Sequence, residues 1–147
     1  MPKARLPILF LFTLLRCSFL GAQTTDALIR QGNRYYNKQD YDQSLTDYEK
    51  ALKKTPGNPD AHFNLGFAYL NNRQPAEAAA QFSEELKLSP NETKAHYRLA
   101  QAYRKTGETE KAQKEIELYQ QLSQQSAQKV ESERAEIQQF VFALKHQ

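Results

Sequence analysis

The chain repeats itself with a 34-residue period between Thr25 and about Leu122, and this period limits its fold more than any other feature. Shifting the sequence by that interval brings similar residues into four columns, which are Gly32, Gly66 and Ala100; Tyr35, Tyr69 and Tyr103; Ser44, Ala78 and Ala112; and Tyr48, Phe82 and Ile116. Pro56 and Pro90 close the first two repeats, whereas Gln124 stands at that place in the third. A period of this length predicts supersecondary units that stack side by side, because one unit cannot bury its apolar face alone.

Within each repeat, two amphipathic stretches carry the start and stop signals of helices. Asn58 followed by Pro59 is a favoured start, because the asparagine caps free N–H groups and proline already has a helical φ. Pro75 opens the next helix, Pro90 follows its end, and Gly107 stands after two basic residues at a third stop. The small residues of the first column are expected where the first helix of a repeat, helix A, approaches the second, helix B.

These columns resemble the tetratricopeptide-repeat family, whose signature has the same period and residue types at the same intervals. The stretches LGFAYL from Leu65 and LAQAYR from Leu99 carry the resemblance most clearly. The chain departs from the family at Gln31, where the family prefers leucine. It also lacks the usual tryptophan, and the residues at that place are Leu28, His62 and His96.

The resemblance implies an all-α fold, a right-handed α-solenoid of three helix–turn–helix repeats with a C-terminal capping helix. The repeats would span about 25–58, 59–92 and 93–122 within a domain of residues 23–122, and residues 123–147 would form the capping helix.

Residues 1–22 differ from the rest of the chain. Lys3 and Arg5 precede an almost unbroken apolar run, LPILFLFTLL, and the small residues Gly21 and Ala22 follow it before a polar stretch. This order is typical of a signal peptide. We therefore predict that residues 1–22 are removed and that the protein is exported in the bacterial manner, to the periplasm or the extracellular space. It would then meet the membrane only transiently, through the signal peptide.

An uncleaved membrane anchor is the alternative interpretation of this segment. Residues 6–22 contain Arg16 and fall short of the ~20 apolar residues that a spanning helix needs. A lipoprotein attached at Cys17 is disfavoured, because Arg16 occupies a place where such sites require a small residue.

Removal of the segment changes the charge of the chain. The whole sequence has 20 basic and 17 acidic residues, and the segment contains Lys3, Arg5 and Arg16, so 17 basic and 17 acidic residues would remain. A net charge of zero does not favour nucleic-acid binding. Cys17, the only cysteine, would also leave, which excludes disulfides and thiol chemistry from the mature chain.

The C-terminal segment contains no glycine or proline after Gly107, so residues 108–145 fit either one long helix or two. One face of it collects apolar residues at helical spacing, namely Ala127, Val130, Ile137, Phe140, Val141 and Leu144. A solenoid needs a cap over its last apolar face, and we favour that role and a monomer. The alternative is a dimer seam, although Arg134 interrupts the heptad pattern that a long coiled coil requires.

No constellation of residues in the sequence points to catalysis. His62 and His96 are one repeat period apart and occupy equivalent packing positions, and two histidines without a third ligand do not make a metal site. No histidine lies in a motif that activates a serine, and the five glycines are isolated, so no phosphate loop exists. We expect no catalytic residue, no metal and no cofactor.

The resemblance implies that the A helices line a concave face and that this face binds an extended peptide. The candidate groove residues are Asn33, Tyr36, Phe63, Asn64, Phe67, Lys94, Tyr97 and Arg98. This groove would be apolar in its middle and cationic at one end, which favours a partner with an apolar body and an anionic group.

One subset of the family grips the C-terminal carboxylate of a partner with basic residues and two asparagines. Four residues match that clamp in type and spacing, namely Asn33, Asn64, Lys94 and Arg98, but the fifth place is Ile29, which cannot donate a hydrogen bond. The predicted function is a non-catalytic interaction scaffold that binds a peptide or a partner protein, one option being a partner with a free C-terminal carboxylate. The alternative is a structural protein that associates with itself through the C-terminal helix.

Overall fold

The computed structural model describes residues 23–146, which form six α-helices and no strand. Their bounds are Thr25–Asn37 (α1), Tyr41–Lys54 (α2), Pro59–Asn71 (α3), Pro75–Leu88 (α4), Thr93–Thr106 (α5) and Thr109–Lys145 (α6). The odd-numbered A helices begin one repeat period apart, and so do the even-numbered B helices. The candidate signal peptide, residues 1–22, lies outside the described residues. Within those residues, no helix is both long and apolar enough to traverse a bilayer.

The sequence signals for helix ends are confirmed. The Asn58 side chain accepts a hydrogen bond from the Ala61 N–H at 2.9 Å, and Pro59 is the first residue of α3. Helix α4 begins at Pro75 and ends at Leu88. Gly107 ends α5 with a φ of 86°, a left-handed conformation that glycine adopts without the penalty of a Cβ atom. Local sequence therefore sets these helix bounds.

Each helix packs against the next one along the chain, which is the arrangement of a solenoid. The first small-residue column lies where helices A and B come closest. A Cβ atom at Gly66 would stand 2.9 Å from Phe82 Cε1, and one at Gly32 would stand 2.5 Å from Tyr48 Cε1. Phe82 and Tyr48 are 0% and 2% exposed. Glycine is therefore required at both places because an aromatic ring fills the space that a side chain would occupy.

The two histidines of the second and third repeats hold their repeats together. His62 Nδ1 lies 2.9 Å from Gln81 Oε1, and its Nε2 donates to the Pro56 carbonyl at 2.8 Å. His96 makes the equivalent contacts one repeat later, with Glu115 Oε2 at 2.6 Å and the Pro90 carbonyl at 2.9 Å. Each imidazole thus ties its A helix to the B helix of its own repeat and to the preceding turn. Across residues 23–146, no group of three or more potential ligands is arranged around a metal position.

The C-terminal segment differs from the separate capping helix expected from the sequence. Helix α6 runs without a break from Thr109 to Lys145, because no glycine or proline interrupts it. Its first half packs on α5 as helix B of the third repeat. From residue 124 to residue 146 every side chain is exposed, including Val130 at 54%, Ile137 at 63% and Leu144 at 57%. As described, this half extends beyond the repeats and covers no apolar face.

Candidate peptide-binding groove

The A helices stand side by side, because α1 contacts α3 and α3 contacts α5 in addition to their B helices. Five of the predicted groove residues line one recess between the first two repeats, together with Asn37 and Tyr48; they are Asn33, Tyr36, Phe63, Asn64 and Phe67. We call this the aromatic recess. It is open to solvent and lined by aromatic rings and three asparagines, a mixture of apolar and polar groups that suits a binding groove.

Phe67 is the centre of this recess and joins all three repeats. Its ring stacks on Tyr36 of α1, with centroids 5.2 Å apart, and lies nearly parallel to Phe63, with centroids 6.3 Å apart. The guanidinium carbon of Arg98, on α5, stands 4.5 Å from the centroid of the same ring. These are the separations of favourable aromatic and cation–π pairs. The rings therefore form one continuous apolar bed across α1 and α3, and Arg98 of α5 lies against its edge.

Hydrogen bonds fix the polar groups around this bed. Buried Tyr48 donates from its hydroxyl to Asn33 Oδ1 at 2.6 Å, and burial raises the pKa of Tyr48 well above its usual value of 10. The Asn71 side-chain N–H donates to the Tyr36 hydroxyl at 2.9 Å, and burial raises the pKa of Tyr36. Both tyrosines are therefore neutral donors or acceptors at any physiological pH. The Asn33 amide N–H₂ is not used in the hydrogen bond with Tyr48, and Asn33 and Asn64 both line the recess.

A second recess opens on the far side of Phe67 and is cationic. It is lined by Phe67, Leu70, Asn71, Arg98, Gln101, Arg104 and Lys105, and this set contains three cations and no acid. We call it the cationic recess. Arg98 is held there by the Phe67 ring and by donating from Nη1 to Gln101 Oε1 at 2.9 Å. A guanidinium fixed in this way keeps donors free for an anion at little entropic cost.

Lys94 does not lie in the cationic recess. It lines a separate cavity with Asp60, Phe63, Glu85 and Glu92, although it precedes Arg98 by only one helical turn. The four residues of the predicted carboxylate clamp are thus divided among three neighbouring recesses. Tyr97 is 38% exposed and packs against Tyr119 of α6, with ring centroids 5.4 Å apart. Its ring centroid lies 5.7 Å from the guanidinium carbon of Arg98, although Tyr97 is not among the residues that line these three recesses.

Sequence reasoning missed several residues of these recesses. Asn71, Arg104 and Lys105 are absent from the candidate groove residues. Glu85 looks solvated from its place on a B helix, yet it is buried. The spacing of Asn71, four residues after Phe67 on α3, is a signal that could have identified it. The neighbourhood of Glu85 could not be read from spacing, since it is built from three helices.

Helix pairs that each pack on the next define the class of α-solenoids, whose stacked repeats form extended concave binding surfaces. The family comparison specifies the class further. A TPR repeat model matches residues 32–72, and a tetratricopeptide repeat model matches residues 72–130. The chain belongs to the tetratricopeptide-repeat family, and its fold is that of a protein–protein interaction scaffold. No curated protein sequence matches the chain.

Solved structures of the same fold are numerous. The first TPR of Spaghetti (RPAP3) bound to the HSP90 peptide SRMEEVD is 24% identical, with a TM-score of 0.65 over 78% of this chain and 99% of that one. The first TPR domain of human RPAP3 is 27% identical, with a TM-score of 0.64 over 69% and 80% of the two chains. A structure of MamA is 30% identical, with a TM-score of 0.67 over 78% and 66%.

Proposed function

We propose that this protein is an exported, non-catalytic scaffold whose concave groove holds an extended peptide segment of a partner protein. The observation that carries the proposal is the aromatic bed of Tyr36, Phe63 and Phe67, which extends across α1 and α3 with the amide side chains of Asn33 and Asn64 beside it. Apolar side chains of a peptide would pack on these rings, and Asn33 and Asn64 would hydrogen-bond its backbone. Export follows from the pattern of residues 1–22.

The anionic group of the partner, in this proposal, binds at Arg98 in the cationic recess. Arg98 is fixed on Phe67 and neighboured by Arg104 and Lys105, and no acid lines this recess to compete for it. Lys94, by contrast, shares its cavity with three acids. A free C-terminal carboxylate is one group that fits, as is an acidic side chain. The peptide bound in the Spaghetti (RPAP3) structure, SRMEEVD, contains acidic side chains and ends in aspartate, and it is a suitable first probe in free-acid form.

The experiment is a selection followed by calorimetry on the full-length protein. A random heptapeptide library with free C-termini, with SRMEEVD included, is screened for binding, and selected peptides are titrated in free-acid and C-terminally amidated forms. A charge-assisted hydrogen bond contributes roughly 1.5–3 kcal/mol, so Arg98→Ala should weaken binding of the free acid by about 10-fold or more. The matched control is Arg34→Ala, which removes one positive charge from an A helix outside the three recesses.

Three results would contradict all or part of the proposal. If no peptide is enriched by the wild-type protein, the groove does not bind extended chains. If Arg98→Ala and Lys94→Ala weaken binding equally, and only for the free acid, the anion lies between the two recesses as the carboxylate clamp requires, and not in the cationic recess. An affinity that is the same for free acid and amide, and unaffected by either substitution, would leave a peptide groove with no carboxylate site.

A second candidate function is self-association through α6. The exposed residues Val130, Ile137, Val141 and Leu144 recur at intervals of seven and three or four, which is the spacing of a helix–helix seam. Arg134 lies in the middle of this face and is 64% exposed at its side chain. A charge at the centre of the seam weakens a two-stranded pairing, so the peptide scaffold remains the leading proposal. Light scattering of the mature protein, residues 23–147, distinguishes a monomer from a dimer.

A further inference from the structure

Glu85 is a buried acid that the repeat does not need. It lies one repeat period after Ala51, so the two residues occupy equivalent places on α4 and α2, and their exposed fractions are 3% and 0%. Ala51 buries only a methyl group there. Glu85 buries a carboxylate, and its Oε2 atom has no hydrogen-bond partner among residues 23–146. An unpaired buried carboxylate lowers stability. Packing gives no reason for it, because alanine fills the same place one repeat earlier.

Glu85 lines a cavity of about 210 Å³ together with Asp60, Phe63, Glu92 and Lys94. Two of these acids have structural roles. Asp60 lies in the first turn of α3, where a negative charge interacts favourably with the helix dipole. Glu92 caps α5 by accepting a hydrogen bond from the Lys94 backbone N–H at 3.2 Å. Glu85 has no such role. Lys94 Nζ forms no ion pair within 4.0 Å inside the described part of the chain, so it does not neutralise the acids.

We infer that this cavity binds the cationic side chain, lysine ammonium or arginine guanidinium, of the peptide that occupies the groove, an inference that rests on the proposed function. The carboxylates of Asp60, Glu85 and Glu92 supply the opposite charge, and the Phe63 ring forms one wall of the cavity against which an organic cation packs. Phe63 also lines the aromatic recess, so a peptide on the aromatic bed lies next to the cavity. The missing partner of Glu85 is then the ligand.

The raised pKa of Glu85 is the shift expected of a buried carboxylate whose cationic partner is a ligand. Burial and the neighbouring charge of Glu92 raise the pKa of Glu85 to about 7, Asp60 adds to this effect, and His96 opposes it. A bound cation would favour the ionised form and bring the pKa back down. Binding should therefore weaken as the pH falls below about 7, where Glu85 takes up a proton.

A cation-binding cavity would fix the orientation in which a charged peptide lies in the groove. Acids line the cavity on one side of the aromatic bed, and Arg98, Arg104 and Lys105 line the recess on the other. A partner peptide that fits both carries a basic residue at one end of its bound segment and an anionic group at the other. A peptide of reversed polarity would place like charges together, which disfavours binding and so provides specificity.

The test uses n-butylguanidinium as the probe and n-butylurea as its neutral isostere. Each is titrated into the ¹⁵N-labelled full-length protein, and the backbone amide signals of Phe63, Glu85 and Lys94 are followed. The cation should shift these signals saturably, and the urea should not. Glu85→Gln should weaken the cation about 10-fold or more, with Glu85→Ala as a second variant that copies Ala51. The control Glu84→Gln removes the same charge one residue away, from an exposed ion pair with Lys87, and should change nothing.

Three outcomes would overturn the inference. Equal shifts of the amide signals with the cation and the urea would show that the cavity binds both probes through apolar contacts alone. An unchanged affinity in Glu85→Gln would remove that carboxylate from the site. Binding that appears only in Lys94→Met would mean that Lys94 is the counter-ion of the cavity itself. The titration reads the cavity without any peptide, so its failure is distinct from a failure of the library selection. The protein spectrum also reports directly whether each variant is folded.

Discussion

Replacing Gly66 by leucine perturbs the tightest contact between helices A and B in the second repeat. The new Cβ atom would stand 2.9 Å from Phe82 Cε1 and 3.1 Å from Cδ1, and three more carbons would follow it. Phe82 is 0% exposed, so its ring cannot turn aside into solvent. Overpacking of this kind lowers the free energy of unfolding by about 1–3 kcal/mol or more. The higher helix propensity of leucine offsets about 0.8 kcal/mol of this loss. The difference is about 0.2–2.2 kcal/mol, and because the buried ring cannot move aside we expect the upper part of that range, a net loss of about 1–2 kcal/mol.

Thermal unfolding of the full-length protein, followed by circular dichroism, measures this loss. At about 4 °C per kcal/mol for a domain of this size, Gly66→Leu should lower Tm by about 4–8 °C. The control is Gln101→Leu, which places the same side chain on an A helix at the half-buried wall of the cationic recess. That change should lower Tm much less. Two variants with the same Tm would refute the register of the groove and of the A–B contact together.

The third repeat offers a sharper version of the same test. It carries Ala100 and Ile116 at the places of Gly66 and Phe82, so a smaller B-helix residue accompanies the extra methyl group. Gly66→Ala combined with Phe82→Ile should therefore be less destabilised than the sum of the single variants. A coupling free energy of about 0.5–3 kcal/mol is typical of residues in contact. Strict additivity would mean that the two residues do not meet.

Three further predictions concern stability, the C-terminal segment and export. The pKa of Glu85 is raised to about 7 in the folded protein from an ordinary 4.5, so its ionisation lowers the free energy of unfolding as the pH rises between those values. In denaturant unfolding, Glu85→Gln should be as stable as wild type near pH 4.5 and more stable above pH 7, by up to about 3 kcal/mol. Glu84→Gln should show no such gain. Deleting residues 130–147 should leave Tm nearly unchanged, since this part of α6 is exposed. A large fall in Tm would mean that the segment caps the repeats. A full-length dimer that becomes monomeric on deletion would identify a dimer seam. Mass spectrometry of protein from the native host should find a mature N-terminus near Gln23, and a soluble cytosolic protein with an intact Met1 would contradict export.

The sequence by itself determined the repeat, the helices and seven of the residues that line the recesses between the A helices. The 34-residue period predicted three helix pairs, and the caps at Asn58 and Gly107 predicted where helices begin and end. The same period assigned the residues that face the groove, because a helix side chain points in a direction that follows from its position in the repeat. These features depend on neighbours along the chain or on one repeated interval, and both can be read from sequence.

Only the tertiary structure decided how the charges are divided. Lys94 and Arg98 are one helical turn apart and look alike in sequence, yet the first lies among acids and the second lies on Phe67, away from them. Glu85 appears in sequence as a solvated helix residue, whereas three helices bury it. The extent of α6 beyond the repeats was also undecided, since a chain without breakers fits one helix or two. Each of these outcomes depends on which side chains from different repeats meet, and spacing along one helix carries no information about that.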